Sequence, residues 1–138
     1  MGIRIKNLHN YNVALTYNQT LTVTTSKAIA KIHFDGFISN VIAKLATAGT
    51  GVTSTILDVM LNGATIFAAA TKITLAATTG TATYSALTST PMGVTAGSIL
   101  SLDVTQIATA PINAIVELTI SKTPVYSPSN NSDRNLDL

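Results

Sequence analysis

Two histidines and six carboxylates are the side chains of this sequence best suited to acid–base or metal chemistry: His9, His33, Asp35, Asp58, Asp103, Glu117, Asp133 and Asp137. A catalytic or metal centre needs several such groups to converge, and their spacing here matches no known ligand or acid–base pattern. In His33-Phe34-Asp35 the alternation of a strand puts His33 and Asp35 on one face, as two metal ligands or as a base with its orienting carboxylate. The preferred reading is plainer, a polar strand edge running into a turn. Asp58 and Asp103 occupy two copies of Leu-Asp-Val, at 57–59 and 102–104. If their strands were adjacent they could contribute to a calcium site, but calcium takes six or more oxygens, usually from a loop dense in Asp, Asn and Gly. No such loop is present, and two tripeptides are too short to establish a repeat.

Nucleophilic chemistry is equally poorly supported. Serine and threonine are plentiful, but there is no Gly-x-Ser-x-Gly elbow, and both histidines lie in the first quarter of the chain. Gly49-Thr50-Gly51 reads as a turn, since no Gly-Lys-Ser/Thr or Gly-x-Gly-x-x-Gly completes a phosphate cradle. Cysteine is absent, which removes disulfides, thiolate catalysis and thiolate metal sites together. The sequence therefore predicts a non-enzymatic protein with no cofactor and no catalytic or metal-binding residues.

Composition bounds the partners. Hydrophobic residues make up 46% of the 138 positions and charged residues only 10%. The apolar content is enough for one domain with a core, and the low charge suggests that other chains cover part of the surface. Eight basic residues are scattered singly, so nothing follows a phosphate backbone and nucleic-acid binding is not expected. Between Ile73 and Leu102 there is no charge, yet Gly80, Pro91, Gly93, Gly97 and many hydroxyl residues break any apolar window, so no membrane span is expected. The start, MGIRIKNLHNYNV, lacks the apolar run of a secretory signal. Asn18-Gln19-Thr20 and Asn130-Asn131-Ser132 match a glycosylation pattern that carries no weight without a secretory route.

The elements that would position these residues are strands. Leu21 and Val23 alternate with Thr in 20–25, and Ala28, Ala30, Ile32 and Phe34 alternate with Ile29, Lys31 and His33 in 28–34. Asp35-Gly36 then reads as a hairpin turn into 37–47, where Ile38, Val41, Ile42 and Leu45 also fit a helical period; strand is preferred because turn signals flank the segment. Asn62-Gly63 predicts a hairpin tip, since both positions tolerate positive φ. Further strands are expected at 72–77, 81–87, 98–107 and 114–121, separated by Thr-Gly, Pro-Met-Gly, Ala-Gly and Ala-Pro. The fold predicted is all-β, an antiparallel, jelly-roll-like β-sandwich of about eight strands spanning 20–122. Residues 1–19 and 123–138 are expected to be extended N- and C-terminal arms, the latter rich in Pro, Ser and Asn.

The segments STILDVMLNGATIF, KITLAATTGTATYSAL and VTAGSILSLDVTQI together resemble small β-sandwich virion proteins of tailed bacteriophages, with an Asp-Val-x-x-Asn-Gly hairpin and an Ala-Gly-x-x-Leu-x-Leu-x-Val strand entry. The resemblance covers about residues 37–122, and Ser98 departs from the Asp or Glu often found at that entry. It implies a capsid decoration (cement) protein on the outer surface of a phage head, made in the host cytoplasm and carried in the virion. Its partners would be the major capsid protein and further copies of itself, as a dimer or trimer. Ile3, Ile5, Leu8 and Tyr11 in one arm, and Val125, Tyr126, Leu136 and Leu138 in the other, would hold it to the shell. The competing expectation is a carbohydrate- or receptor-binding β-sandwich of a phage tail or fibre. Sugar faces stack on aromatic rings, and here there is no Trp, while Tyr11, Tyr17, Tyr84 and Tyr126 lie far apart in sequence.

Overall fold

Along Ile112–Lys122 the side chains of Ala114, Val116, Leu118 and Ile120 are fully buried, while Ile115 and Glu117 face outwards. This two-residue period is the physical signature of a strand with one face on a core, and it recurs throughout the chain. In a computed structural model, residues 10–68, 71–78, 81–84 and 92–123 are described. They form ten strands: β1 (Asn10–Thr20), β2 (Thr24–Lys31), β3 (Gly36–Thr47), β4 (Thr55–Leu61), β5 (Ala64–Thr65), β6 (Ile73–Leu75), β7 (Thr81–Tyr84), β8 (Met92–Val94), β9 (Ile99–Gln106) and β10 (Ile112–Lys122).

All pairing is antiparallel, in two five-stranded sheets. One has the order β1-β10-β3-β7, with β8 also on β3; the other has the order β2-β9-β4-β5, with β6 also on β4. Strands β1 to β4 thus alternate between the sheets, and the last two strands insert between the first ones and their neighbours, β10 between β1 and β3 and β9 between β2 and β4, the interleaving of a jelly roll. Both inner faces feed one core that includes Leu15, Tyr17, Ile38, Val41, Leu57, Val59, Ile66, Phe67, Leu100, Leu102, Val116 and Leu118. Burying each large aliphatic side chain contributes about 1.5–3 kcal/mol, which is why strand alternation decides the register here.

Several expectations about turns and boundaries are corrected. The segment 10–19 is not an arm: β1 pairs with β10 from Asn10 opposite Ser121 to Thr20 opposite Ile112. Its inward residues Leu15 and Tyr17 are buried, and that burial holds it in the sheet. Residues 20–25 are not one strand, because the β1–β2 connection falls within them; Leu21 is buried and Val23 is exposed. Asp35-Gly36 is not a hairpin turn, since β2 and β3 belong to different sheets and the chain crosses between them there. Gly36 is required for another reason: a Cβ at this position would run into the Ser121 carbonyl oxygen of the neighbouring strand. Met92 and Gly93, expected in a turn, lie in β8 against Ile38 and Phe37.

Other expectations hold. The tip of the β4–β5 hairpin is Asn62-Gly63, with φ of 50° and 86°, the left-handed pair of a type I′ turn. The segment 37–47 is a strand, and its helix-like spacing has a local cause. Between Thr119 and Ile120 the register on β3 skips from Asn40 to Ile38, so Ser39 bulges out. Ile38 and Val41, three apart, therefore both face the core, while Ile42 is turned outwards. Residues 85–87 of the strand expected over 81–87, and Thr79-Gly80, lie outside the described residues. Among the described residues no helix is long and apolar enough to cross a membrane.

Candidate functional site

Three of the carboxylates that could do chemistry, Asp35, Asp58 and Asp103, are used to fasten strands. The two Leu-Asp-Val tripeptides lie directly opposite each other across β4 and β9: Leu57 faces Val104, Asp58 faces Asp103 and Val59 faces Leu102. Leu and Val point into the core, and both carboxylates point outwards. Asp58 is nonetheless buried, because the chain after the hairpin folds back over it. It accepts a hydrogen bond from the Thr65 hydroxyl at 2.5 Å and forms an ion pair with Lys72 Nζ at 2.9 Å. Asp103 accepts the Ser26 amide at 2.7 Å, where β2 departs from regular pairing and Ser26 has a φ of 49°. The carboxylates are thus committed to different partners, and among the described residues no three His, Cys, Asp or Glu side chains gather as a metal set.

His33 and Asp35 fall in the β2–β3 crossing, and both are exposed. Asp35 is a knot rather than an orienting carboxylate. Its side chain accepts the Ala96 amide at 2.9 Å, and its carbonyl accepts the Thr123 amide at 2.8 Å. The neighbouring turn is stitched to the same segment through Gly97 N–H to the Ile32 carbonyl and Ile32 N–H to the Ser98 carbonyl, at 2.7 and 2.8 Å. Ser98, which departs from the resemblance, is buried with its hydroxyl 3.2 Å from Thr95 Oγ1. The Asn62 carboxamide joins this pole by accepting the Ile99 amide at 2.9 Å.

This pole is where both ends of the described chain leave the sandwich. Asn10 opens β1 opposite Ser121, and the Ser121 hydroxyl donates to the Asn10 side chain at 2.8 Å. Two residues on, Thr123 is held by Asp35. Segments 1–9 and 124–138 therefore share one root. Beside it the rings of Tyr11 and Phe34 meet with centroids 4.8 Å apart and planes tilted by 42°. Tyr11, expected in an arm, is a strand residue that keeps 40% of its surface exposed. The other arm residues expected to bind, Ile3, Ile5, Leu8, Val125, Tyr126, Leu136 and Leu138, lie outside the described residues.

Tyr17 sits differently from Tyr11. Its ring is in the core, its hydroxyl lies 2.9 Å from Thr22 Oγ1 and accepts the Thr22 amide at 3.1 Å, and Lys27 Nζ stands 4.8 Å from the ring centroid. Hydrogen bonding from the Thr22 side chain lowers the Tyr17 pKa from its ordinary value; burial opposes this, and the Thr22 amide and Lys27 reinforce it.

A second surface escapes sequence reading. The outer face of the β1-β10-β3 layer is a ladder of Asn12, Ala14, Thr16, Asn40, Ile42, Lys44, Ile115, Glu117 and Thr119, placed side by side by the register. At one corner Asn18, Lys44, Ala46, Asn113 and Ile115 surround a recess of about 360 Å³. The residues that form this face come from three separated segments, so only the pairing assembles it. Comparisons with protein-family models, with curated proteins and with solved structures find no match.

Proposed function

We propose that this protein is a non-enzymatic virion component, a decoration (cement) protein that attaches to the outer surface of an assembled phage head through the pole from which its two terminal segments leave. One observation carries the reading: Asn10 and Thr123 emerge side by side from a pole cross-linked through Asp35, Ser98 and Asn62. Two terminal segments that leave from one cross-linked root can lie along neighbouring capsid subunits and engage them together. Each then raises the effective concentration of the other at the shell, so modest contacts add to a tight attachment. Extended chain can also add main-chain hydrogen bonds to an exposed strand edge of the major capsid protein, with Ile3, Ile5, Leu8, Val125, Tyr126, Leu136 and Leu138 filling pockets beside it. Because such a protein binds the assembled shell and not free subunits, its binding free energy stabilises the shell by mass action.

A second reading rests on the Tyr11–Phe34 pair, a partly exposed aromatic surface of the kind on which sugar rings stack. It makes the protein a receptor-binding part of a tail or fibre. Adding the purified full chain to phage heads assembled without it separates the two. The decoration reading expects saturable binding and a higher disruption temperature of the heads. Heads that neither bind the chain nor gain stability, together with binding to host-surface glycans that is lost in Tyr11→Ala, would favour the fibre reading.

A further inference from the structure

We infer that a second copy of this chain docks face to face on the outer surface of the β1-β10-β3 layer, making a two-fold symmetric dimer centred on Ile42, Lys44, Ile115 and Glu117. In the register, Ile115 lies beside Lys44 and Glu117 lies beside Ile42. Alternate residues on each strand share this face, so the four side chains form a checkerboard, with the isoleucines on one diagonal and the opposite charges on the other. Ile42 and Ile115 are 38% and 44% exposed. Lys44 and Glu117 are also exposed, and they are the only charged residues between the ends of the three strands. Among the described residues the only ion pair is Asp58–Lys72, so the two charges on this face are not paired with each other.

The occupant follows from the symmetry of that pattern. A two-fold axis lying in the face along the Ile42–Ile115 diagonal brings each isoleucine against its own counterpart. The same rotation exchanges the other two corners, so Lys44 of each copy meets Glu117 of the other twice over. An isologous contact demands this self-complementarity, and an unrelated partner does not. On β1, the residues beside the block, Ala14 and Thr16, are small. Strands about 4.8 Å apart with alternate residues about 6.7 Å apart place the diagonal so that strands of the two copies cross at roughly 70°, nearer the orthogonal class of sheet packing than the aligned one. Crossing at that angle, two layers each about 14 Å wide overlap over roughly 200 Å² per partner, well below the ~800 Å² of a standard interface, so the dimer is a weak one that forms at high concentration. Burial of the two isoleucine pairs supplies attraction, and the reciprocal charges fix the orientation. The surface is separate from the terminal pole, so the dimer does not depend on whether the protein decorates a capsid.

Sedimentation analysis of the full chain over a concentration series, with charge-exchange variants, tests it. The wild type is expected to dimerise. Lys44→Glu and Glu117→Lys each leave like charges facing across the axis and should raise the dissociation constant about tenfold or more. Both sites are exposed, so circular dichroism and melting temperature should stay unchanged and exclude misfolding. The double exchange Lys44→Glu/Glu117→Lys should restore the dimer, and an equimolar mixture of the two single variants should form heterodimers. A wild type that stays monomeric at its highest soluble concentration would overturn the inference. So would an oligomer indifferent to the single exchanges, or one that neither the double exchange nor the mixture rescues.

Discussion

Asp58 and Asp103 sit in identical tripeptides and face each other across two strands, yet their environments divide them. Asp58 is covered by the chain that follows the hairpin, whereas Asp103 stays at the surface of its sheet. Removing the Asp58 carboxylate strands a Thr65 hydroxyl and the Lys72 ammonium, so Asp58→Ala should cost about 1–3 kcal/mol in denaturant unfolding. Lys72 is 38% exposed and can turn to water, so Lys72→Ala should cost less than about 1 kcal/mol. Equal losses would show that the ion pair, not the buried hydrogen bond, dominates. Tyr17 offers a pH test. Its pKa is lowered in the folded chain, chiefly by Thr22, so it ionises at lower pH there than in the unfolded chain. The folded state therefore gains stability as pH rises through the folded pKa, with the full gain above the unfolded value of about 10, and none of it remains at neutral pH. Tyrosinate absorbance should show an early-ionising tyrosine that disappears in Tyr17→Phe. An unchanged leading edge of the titration would contradict this.

At the scale of elements, two glycines separate backbone cost from steric cost. Gly63 has a φ of 86° and open space where a methyl would stand, so Gly63→Ala should cost only the left-handed penalty of about 1–2 kcal/mol. Gly36 has an ordinary φ but no room beside Ser121, so β3 and β10 must part to admit a methyl. Gly36→Ala should therefore destabilise more than Gly63→Ala in thermal unfolding; the reverse order would refute the packing argument. The two sites also show what was legible in the sequence. Asn62-Gly63 was readable because a two-residue turn is a local decision. Asp35-Gly36 was not, because whether a turn closes a hairpin or crosses between sheets depends on partners far along the chain. The β-bulge at Ser39 explains why Ile38 and Val41 mimic a helix: one extra residue shifts the period from two to three. β1 had a readable signal, the alternation of Val13, Leu15 and Tyr17, but the polar residues around it resembled an arm.

At the scale of the molecule, the jelly roll could be expected from strand spacing, but the common root of the terminal segments could not. It exists because β1 and β10 are hydrogen-bonded neighbours although they lie at opposite ends of the sequence. The checkerboard of Ile42, Lys44, Ile115 and Glu117 was hidden for the same reason. The position of β1 also decides how attachment must be tested. Deleting the first dozen residues would remove Asn10, Tyr11 and Asn12 from their pairing with β10 and damage the sandwich itself. Ordering an extended segment costs about 1–2 kcal/mol per residue in backbone entropy, so segments that fasten the protein must make contacts exceeding that cost. The most direct measurement compares the affinity of residues 10–123 with that of the full chain for phage heads assembled without the protein. Attachment through the terminal segments predicts that 10–123 keeps its melting temperature within a few degrees and loses affinity by about a hundredfold or more, as expected when two linked contacts are removed together. A 10–123 fragment that binds the heads as tightly as the full chain would contradict it.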